Sequence, residues 1–167
     1  MERLSQEILK ELLPAEKEVL PRSAGKTTLS QNHPDHWSPA ILLERAAYLR
    51  KLARQGDGSA GETLKEYPRH ATMLSVRSRD GLAEVHENFA DIFYVLDGRA
   101  TLVTGGAVAG AETIAPGEMR GASIEGGARQ ELRAGDVAHV PAGLPHQMLV
   151  SGDRTVTCLV VKVQENP

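Results

Sequence analysis

GDVAHVPAGLPHQM (residues 135–148) and EVHENFADIFYVLDG (residues 84–98) are the two stretches that decide how this chain folds. Both read as paired short strands. The first predicts strands over 136–140 and 145–150, either side of Pro141 and Gly143. The second predicts strands over 82–88 and 91–97, closed by Asp97-Gly98. Outward from these, apolar residues keep a period of two from about His70 onward, the mark of half-buried strands. Further strands are expected at 70–78, 99–104, 111–114, 128–133 and 154–163. Turn signals separate them: Arg79-Asp80-Gly81, Gly105-Gly106, Gly126-Gly127, Ala134-Gly135-Asp136 and Ser151-Gly152-Asp153. Many short strands with Gly-rich turns and no alternating helices imply a mainly β, antiparallel sandwich or barrel.

The first part of the chain is different. Of 16 glycines, 12 lie from Gly81 onward, and the first 55 residues hold only Gly25. Leu4, Ile8 and Leu12 mark one face of a short helix, which Pro14 ends or bends. A second helix is signalled by Ser38 as N-cap and Pro39 at the first helical position. Ile41, Leu42, Ala46, Leu49, Leu52 and Ala53 form its apolar stripe, and Gly56 is its stop. The segment 56–61 reads as a turn or linker. The expected organisation is therefore a helical extension over 1–60 and a β domain over 61–167. The extension is too small to fold alone and is expected to pack on the barrel or on a second subunit.

Composition excludes several functions. The 167 residues carry a net charge of -3 and only 4% aromatics. That argues against nucleic acid as a partner. One cysteine, Cys158, excludes an internal disulfide and a Cys-rich zinc module. No apolar run reaches the roughly 20 residues needed to span a bilayer, and Glu2, Arg3 and Glu7 do not suit a signal peptide. The expectation is a soluble, cytoplasmic protein with no membrane partner. Gly25-Lys26-Thr27 has the ending of a phosphate loop, but Leu20 stands where the upstream glycine is required.

On these residues the chain from His70 to Lys162 resembles the cupin superfamily. The second cupin motif, G-x5-P-x-G-x2-H, is met by Gly135, Pro141, Gly143 and His146. The first, roughly G-x5-H-x-H-x3-4-E-x6-G, is degenerate: Asp91 replaces its Glu ahead of Gly98. His86 fits either histidine slot. The register Glu84/His86/Asp91 needs no deletion and is preferred; the other places Asn88 in the second slot. The resemblance implies a jelly-roll barrel, here with an N-terminal α-helical extension, and a homodimer.

The residues support the same site. Glu84 and His86, two apart on a strand, face the same way. A carboxylate and an imidazole facing into a barrel need a partner. His86, His146 and Asp91, with Glu84 as a fourth ligand, would suit a divalent metal ion: Fe, Zn, Mn or Ni. A histidine pair hydrogen-bonded through water is the alternative. His139, Phe93, Met148 and His70 are the candidates for the cavity and substrate contacts, with Val95 and Val150 as further wall. Glu118 and Arg120, read as loop residues, are secondary candidates for facing a substrate. Cys158 reads as a small core residue.

The expected function is a metal-dependent enzyme acting on a small organic molecule by oxygenase-, isomerase- or lyase-type chemistry. The alternative is a non-catalytic cupin that binds or senses a small ligand. A third reading makes the β domain a scaffold whose helices dock a partner. Buried ionisable groups favour the first two.

Overall fold

Ser38 begins the helix as its sequence predicts. In the computed structural model, which describes residues 34–165, its Oγ accepts the Ile41 N–H at 3.3 Å. Helix α1 spans Pro39–Gln55, and the Gly56 N–H closes it on the Leu52 carbonyl at 3.0 Å. Leu42, Ala46, Leu49 and Ala53 are buried, whereas Ile41 and Leu52 stay largely exposed at the edges of the stripe. The expected helix on Leu4, Ile8 and Leu12, and Gly25-Lys26-Thr27, lie outside the described residues.

Among the described residues, twelve strands follow. They are β1 (Ser59–Glu66), β2 (His70–Arg77), β3 (Ala83–His86), β4 (Phe89–Thr104), β5 (Ala107–Ala109) and β6 (Glu112–Ala115). The rest are β7 (Glu118–Gly121), β8 (Ser123–Glu125), β9 (Ala128–Arg133), β10 (Val137–Val140), β11 (His146–Leu149) and β12 (Val156–Gln164). Ten form one curled antiparallel sheet, and β5 pairs β8. This is the mainly β jelly-roll class expected from the sequence. Strand β1 begins inside the stretch read as a turn, because Ser59 already pairs with Arg77 of β2.

The curl comes from β4. Its first half pairs with β12 and β10, and its second half with β9 and β11. The predicted strands 91–97 and 99–104 are thus one strand that changes sheets at Gly98. Gly98 has φ +81°, a left-handed conformation that suits glycine. One wall runs β1-β2-β12-β4-β10 and the other β9-β4-β11-β3-β7-β6.

Two apolar clusters hold these layers. Leu42, Ala46, Leu49 and Ala53 of α1 pack with Leu74 and Val76, with Trp37, Leu64 and Leu96 around them. The other cluster includes Val95, Leu102, Leu132, Val140, Met148 and Val156. One wall is therefore covered outside by α1 and lined inside by apolar side chains. Among the described residues, no helix is long and apolar enough to cross a membrane.

Candidate metal centre

Strand register assembles the site. On one wall, β3 lies between β11 and β7, so Glu84 sits opposite His146 on one side and Arg120 on the other. His86 sits opposite Glu118. On the other wall, β4 and β12 set Asp91 opposite Lys162. Alternation along each strand turns these side chains into the barrel. The Gly143 N–H donates to the His86 carbonyl at 2.8 Å, tying the second motif to β3. Gly143 has φ +77°, so the motif glycine answers a backbone need there.

The side chains line a cavity of about 280 Å³, whose apolar wall includes Phe93, Met148 and Val160. His86, Asp91 and His146 are buried. Glu84, His86 and His146 each bring a ligating atom within 4.8 Å of the others. Asp91 joins them: its Oδ2 lies 3.4 Å from Nε2 of both His86 and His146. Oε2 of Glu84 is 3.4 Å from His86 Nε2 and 3.9 Å from His146 Nε2.

Both imidazoles and Glu84 have their other polar atom beside a partner elsewhere, and Asp91 Oδ1 is ion-paired but not hydrogen-bonded. His86 Nδ1 lies 2.6 Å from Glu118 Oε2, and His146 Nδ1 lies 3.3 Å from the Leu144 carbonyl. Both acceptors call for a proton on Nδ1, so in the neutral imidazoles that a metal requires the Nε2 lone pairs would face the cluster. Glu84 Oε1 faces Arg77 at 3.4 Å and Arg120 at 3.8 Å. Asp91 Oδ1 faces Lys162 Nζ at 2.9 Å. The inward His86 Nε2 is buried and makes no hydrogen bond. A buried, unsatisfied imidazole nitrogen between two carboxylate oxygens fits a metal ion.

Charge coupling within the cluster is strong. Burial pushes His86 down, but contacts with Asp91 and then Glu84 outweigh it and raise the imidazole from 6.5 to about 9. Burial pushes Glu84 up, but His86, Arg120 and Arg77 lower it from 4.5 to about 2. Asp91 is likewise held well below the usual carboxylate range: His146, His86 and Lys162 overcome its burial. Cys158 is buried in the wall and its thiol is pushed up to about 12.

Phe93 and Met148 line the cavity, and the Phe93 ring meets His146 edge-on at 6.2 Å. Val95 and Val150 belong to the apolar cluster beyond the cavity wall. His139 is placed elsewhere. It is exposed on β10 and lies 3.6 Å from Glu165 Oε1, because Ala138 and Val140 take the more buried positions. His70 also stays outside, exposed and stacked on Tyr67 at 4.2 Å. Neither histidine lines the cavity. Arg77 and Lys162 line it without having been anticipated. The signal for Lys162 was present: it continues the phase of Val156, Cys158 and Val160, all cavity-lining. Arg77 does the same after Met73 and Ser75. Glu118 and Arg120 stand on strand β7 rather than in a loop.

A curled antiparallel double wall enclosing a His/carboxylate cluster defines a barrel protein with a candidate metal centre. Residues 70–167, more than half of the chain, match the family model described as Cupin. The chain belongs to the cupin family. No curated protein matches it. Among solved structures it is similar to TT1209 from Thermus thermophilus, at 21% identity and TM-score 0.49, covering 70% of this chain and 93% of that one. It is also similar to an uncharacterized conserved protein with a double-stranded β-helix domain from Klebsiella pneumoniae. There the identity is 18% and the TM-score 0.48, covering 65% of this chain and 78% of that one. A third is the polyketide cyclase RemF from Streptomyces resistomycificus, at 21% identity, TM-score 0.47, covering 66% and 68%.

Proposed function

We propose that this chain holds one divalent metal ion on Glu84, His86, Asp91 and His146 and acts on a small organic molecule in the adjoining cavity. One observation carries the reading: Glu84, His86 and His146 bring ligating atoms within 4.8 Å of one another, with Asp91 Oδ2 3.4 Å from both imidazole Nε2 atoms, while the outer atoms of the two imidazoles and of Glu84 have partners of their own. Hydrogen-bonded partners of this kind orient metal ligands and raise their basicity. A mixed imidazole and carboxylate set suits Fe, Zn, Mn or Ni. A bound metal would polarise an oxygen donor of the substrate or make a coordinated water acidic.

The chain's own groups supply the remainder. Phe93, Met148 and Val160 exclude water and pack an apolar skeleton. Glu118 holds the Nδ1 proton of His86, and the Leu144 carbonyl holds that of His146. His86, Arg120 and Arg77 keep Glu84 ionised, and His146, His86 and Lys162 do so for Asp91.

A second reading is a binding or sensing cupin. It is favoured by the cavity wall, which among the described residues has no imidazole beyond His86 and His146 to move protons. The test of the metal reading is elemental mass spectrometry on protein purified without an affinity tag, beside His86→Ala. Close to one metal per chain in wild type alone supports it. No metal in wild type after reconstitution with Fe(II), Zn(II), Mn(II) or Ni(II) overturns it. A metal-loaded protein that binds a ligand and turns over nothing would favour the sensing reading.

A further inference from the structure

Orienting two carboxylates does not require three permanent cations. Neutral donors would serve, yet Arg77, Arg120 and Lys162 all line the cavity that holds Glu84 and Asp91. Their charges balance those of Glu84, Asp91 and Glu118 when both imidazoles are neutral, as metal ligation requires. A divalent ion then leaves a net charge of two positive units in a largely apolar barrel. The three cations are each about a quarter exposed, so solvent screens part of that charge and an anionic occupant would balance the rest.

The cations can turn to a newcomer. Arg77 reaches Glu84 through one terminal nitrogen at 3.4 Å, a weak hydrogen bond that leaves its other donors available. Arg120 stands 3.8 Å from the same oxygen through Nε, while its Nη1 donates to the Met119 carbonyl at 3.1 Å and to Glu118 Oε2 at 3.4 Å, leaving Nη2 as the nitrogen free to turn. Lys162 Nζ is buried beside Asp91 and makes no well-directed hydrogen bond. Fork-shaped guanidinium groups suit carboxylate-like acceptors. The cavity, about 280 Å³, is near the lower end of the range for small-molecule sites, which favours a small occupant.

We propose that the cavity takes a small organic dianion of the dicarboxylate type, received by Arg77, Arg120 and Lys162. The apolar residues Phe93, Met148 and Val160 then cover its carbon skeleton. The charge count rests in part on the metal reading, so both metal-loaded and chelator-treated protein belong in the test.

The probes are oxalate, malonate and succinate, each against its neutral diamide, followed by isothermal titration calorimetry. At least one dianion is expected to bind metal-loaded protein about tenfold or more tightly than its diamide. Arg77→Gln and Lys162→Met, each compared after metal has been restored to saturation and its content measured, are expected to weaken that dianion about tenfold. Arg77→Lys, which keeps the charge and loses the fork, falls between and stands in if Arg77→Gln does not fold. Diamides binding as well as dianions, or dianion affinity indifferent to both variants, overturns the inference. Failure of the metal reading shows separately, as absent metal in elemental analysis. The same comparison on chelator-treated protein then decides the anion inference: a dianion preference that Arg77→Gln abolishes supports it, and no preference overturns it.

Discussion

Nδ1 of His86 lies 2.6 Å from Oε2 of Glu118, its cross-strand partner on β7. That contact fixes which imidazole nitrogen carries the proton and so which one faces the cluster. Glu118→Gln keeps the shape and an acceptor oxygen but removes the charge. Metal affinity is expected to fall by about ten- to a hundredfold, the usual effect of losing such a partner. Competition against a chromophoric chelator measures it. Unchanged affinity in a folded variant would show that the Glu118 charge does not raise the basicity of His86 toward the metal.

Bound metal should cancel the alkaline loss of stability that His86 gives the metal-free protein. In chelator-treated protein, His86 is raised from 6.5 to about 9. Its contribution is therefore full below its unfolded value and lost as pH rises through about 9. Glu84 is lowered from 4.5 to about 2, so its contribution is full above 4.5 and lost as pH falls through about 2. Asp91 acts in the same direction as Glu84. Metal-free protein should be most stable near pH 5 to 6.5 and lose up to roughly 3 kcal/mol toward alkaline pH. Metal needs neutral His86, so its apparent affinity should climb as much as about tenfold per pH unit toward the raised imidazole value. Urea unfolding and metal titration from pH 6 to about 9 check both signs. A metal affinity flat over that range would contradict the proton competition.

Leu49 tests whether α1 is integral to the fold. It is 4% exposed and belongs to the cluster that includes Leu74 and Val76 on the outer side of the wall. Leu49→Ala removes that packing without touching the cavity. A loss of about 3 kcal/mol is expected, or about 6–12 °C in the thermal midpoint. Metal bound per folded chain should not change. A shift under about 1 kcal/mol would mean that α1 packs loosely enough to relax around the deletion.

The reading of the sequence was strongest where local chemistry is self-sufficient. Ser38, Pro39 and Gly56 mark the helix ends through backbone groups within a few residues, and the structure uses all three. The Glu84/His86 pair follows from strand alternation alone. Strand β7 was less legible because it is four residues long, between the Gly117 turn and Gly121. Its residues Glu118 and Arg120 gain their roles only from register with His86 and Glu84. Lys162 meets Asp91 across 71 positions of sequence, a relationship that exists only once β12 and β4 are paired. His139 shows the converse. Its neighbours Pro141 and Gly143 carry a motif, yet its own phase on β10 turns it outward to Glu165.

Gly98 is the position on which closing the barrel depends most. It has φ +81°, and a Cβ there would run into the carbonyl of Thr155. That carbonyl belongs to the backbone entering β12, so a flexible side chain cannot swing aside to relieve the clash. Left-handed strain alone costs a non-glycine residue about 1–3 kcal/mol, and the collision adds to it. Gly98→Ala should therefore lower stability by at least about 2 kcal/mol, a fall of about 4–8 °C or more in the thermal midpoint. The damage should reach the metal centre, because Asp91 stands on the β4 half before the bend while His146 pairs with the half after it. Reduced metal affinity in the fraction that still folds, measured by chelator competition, is the second expected result. A Gly98→Ala protein with wild-type stability and metal affinity would show that β4 changes sheets without needing the glycine.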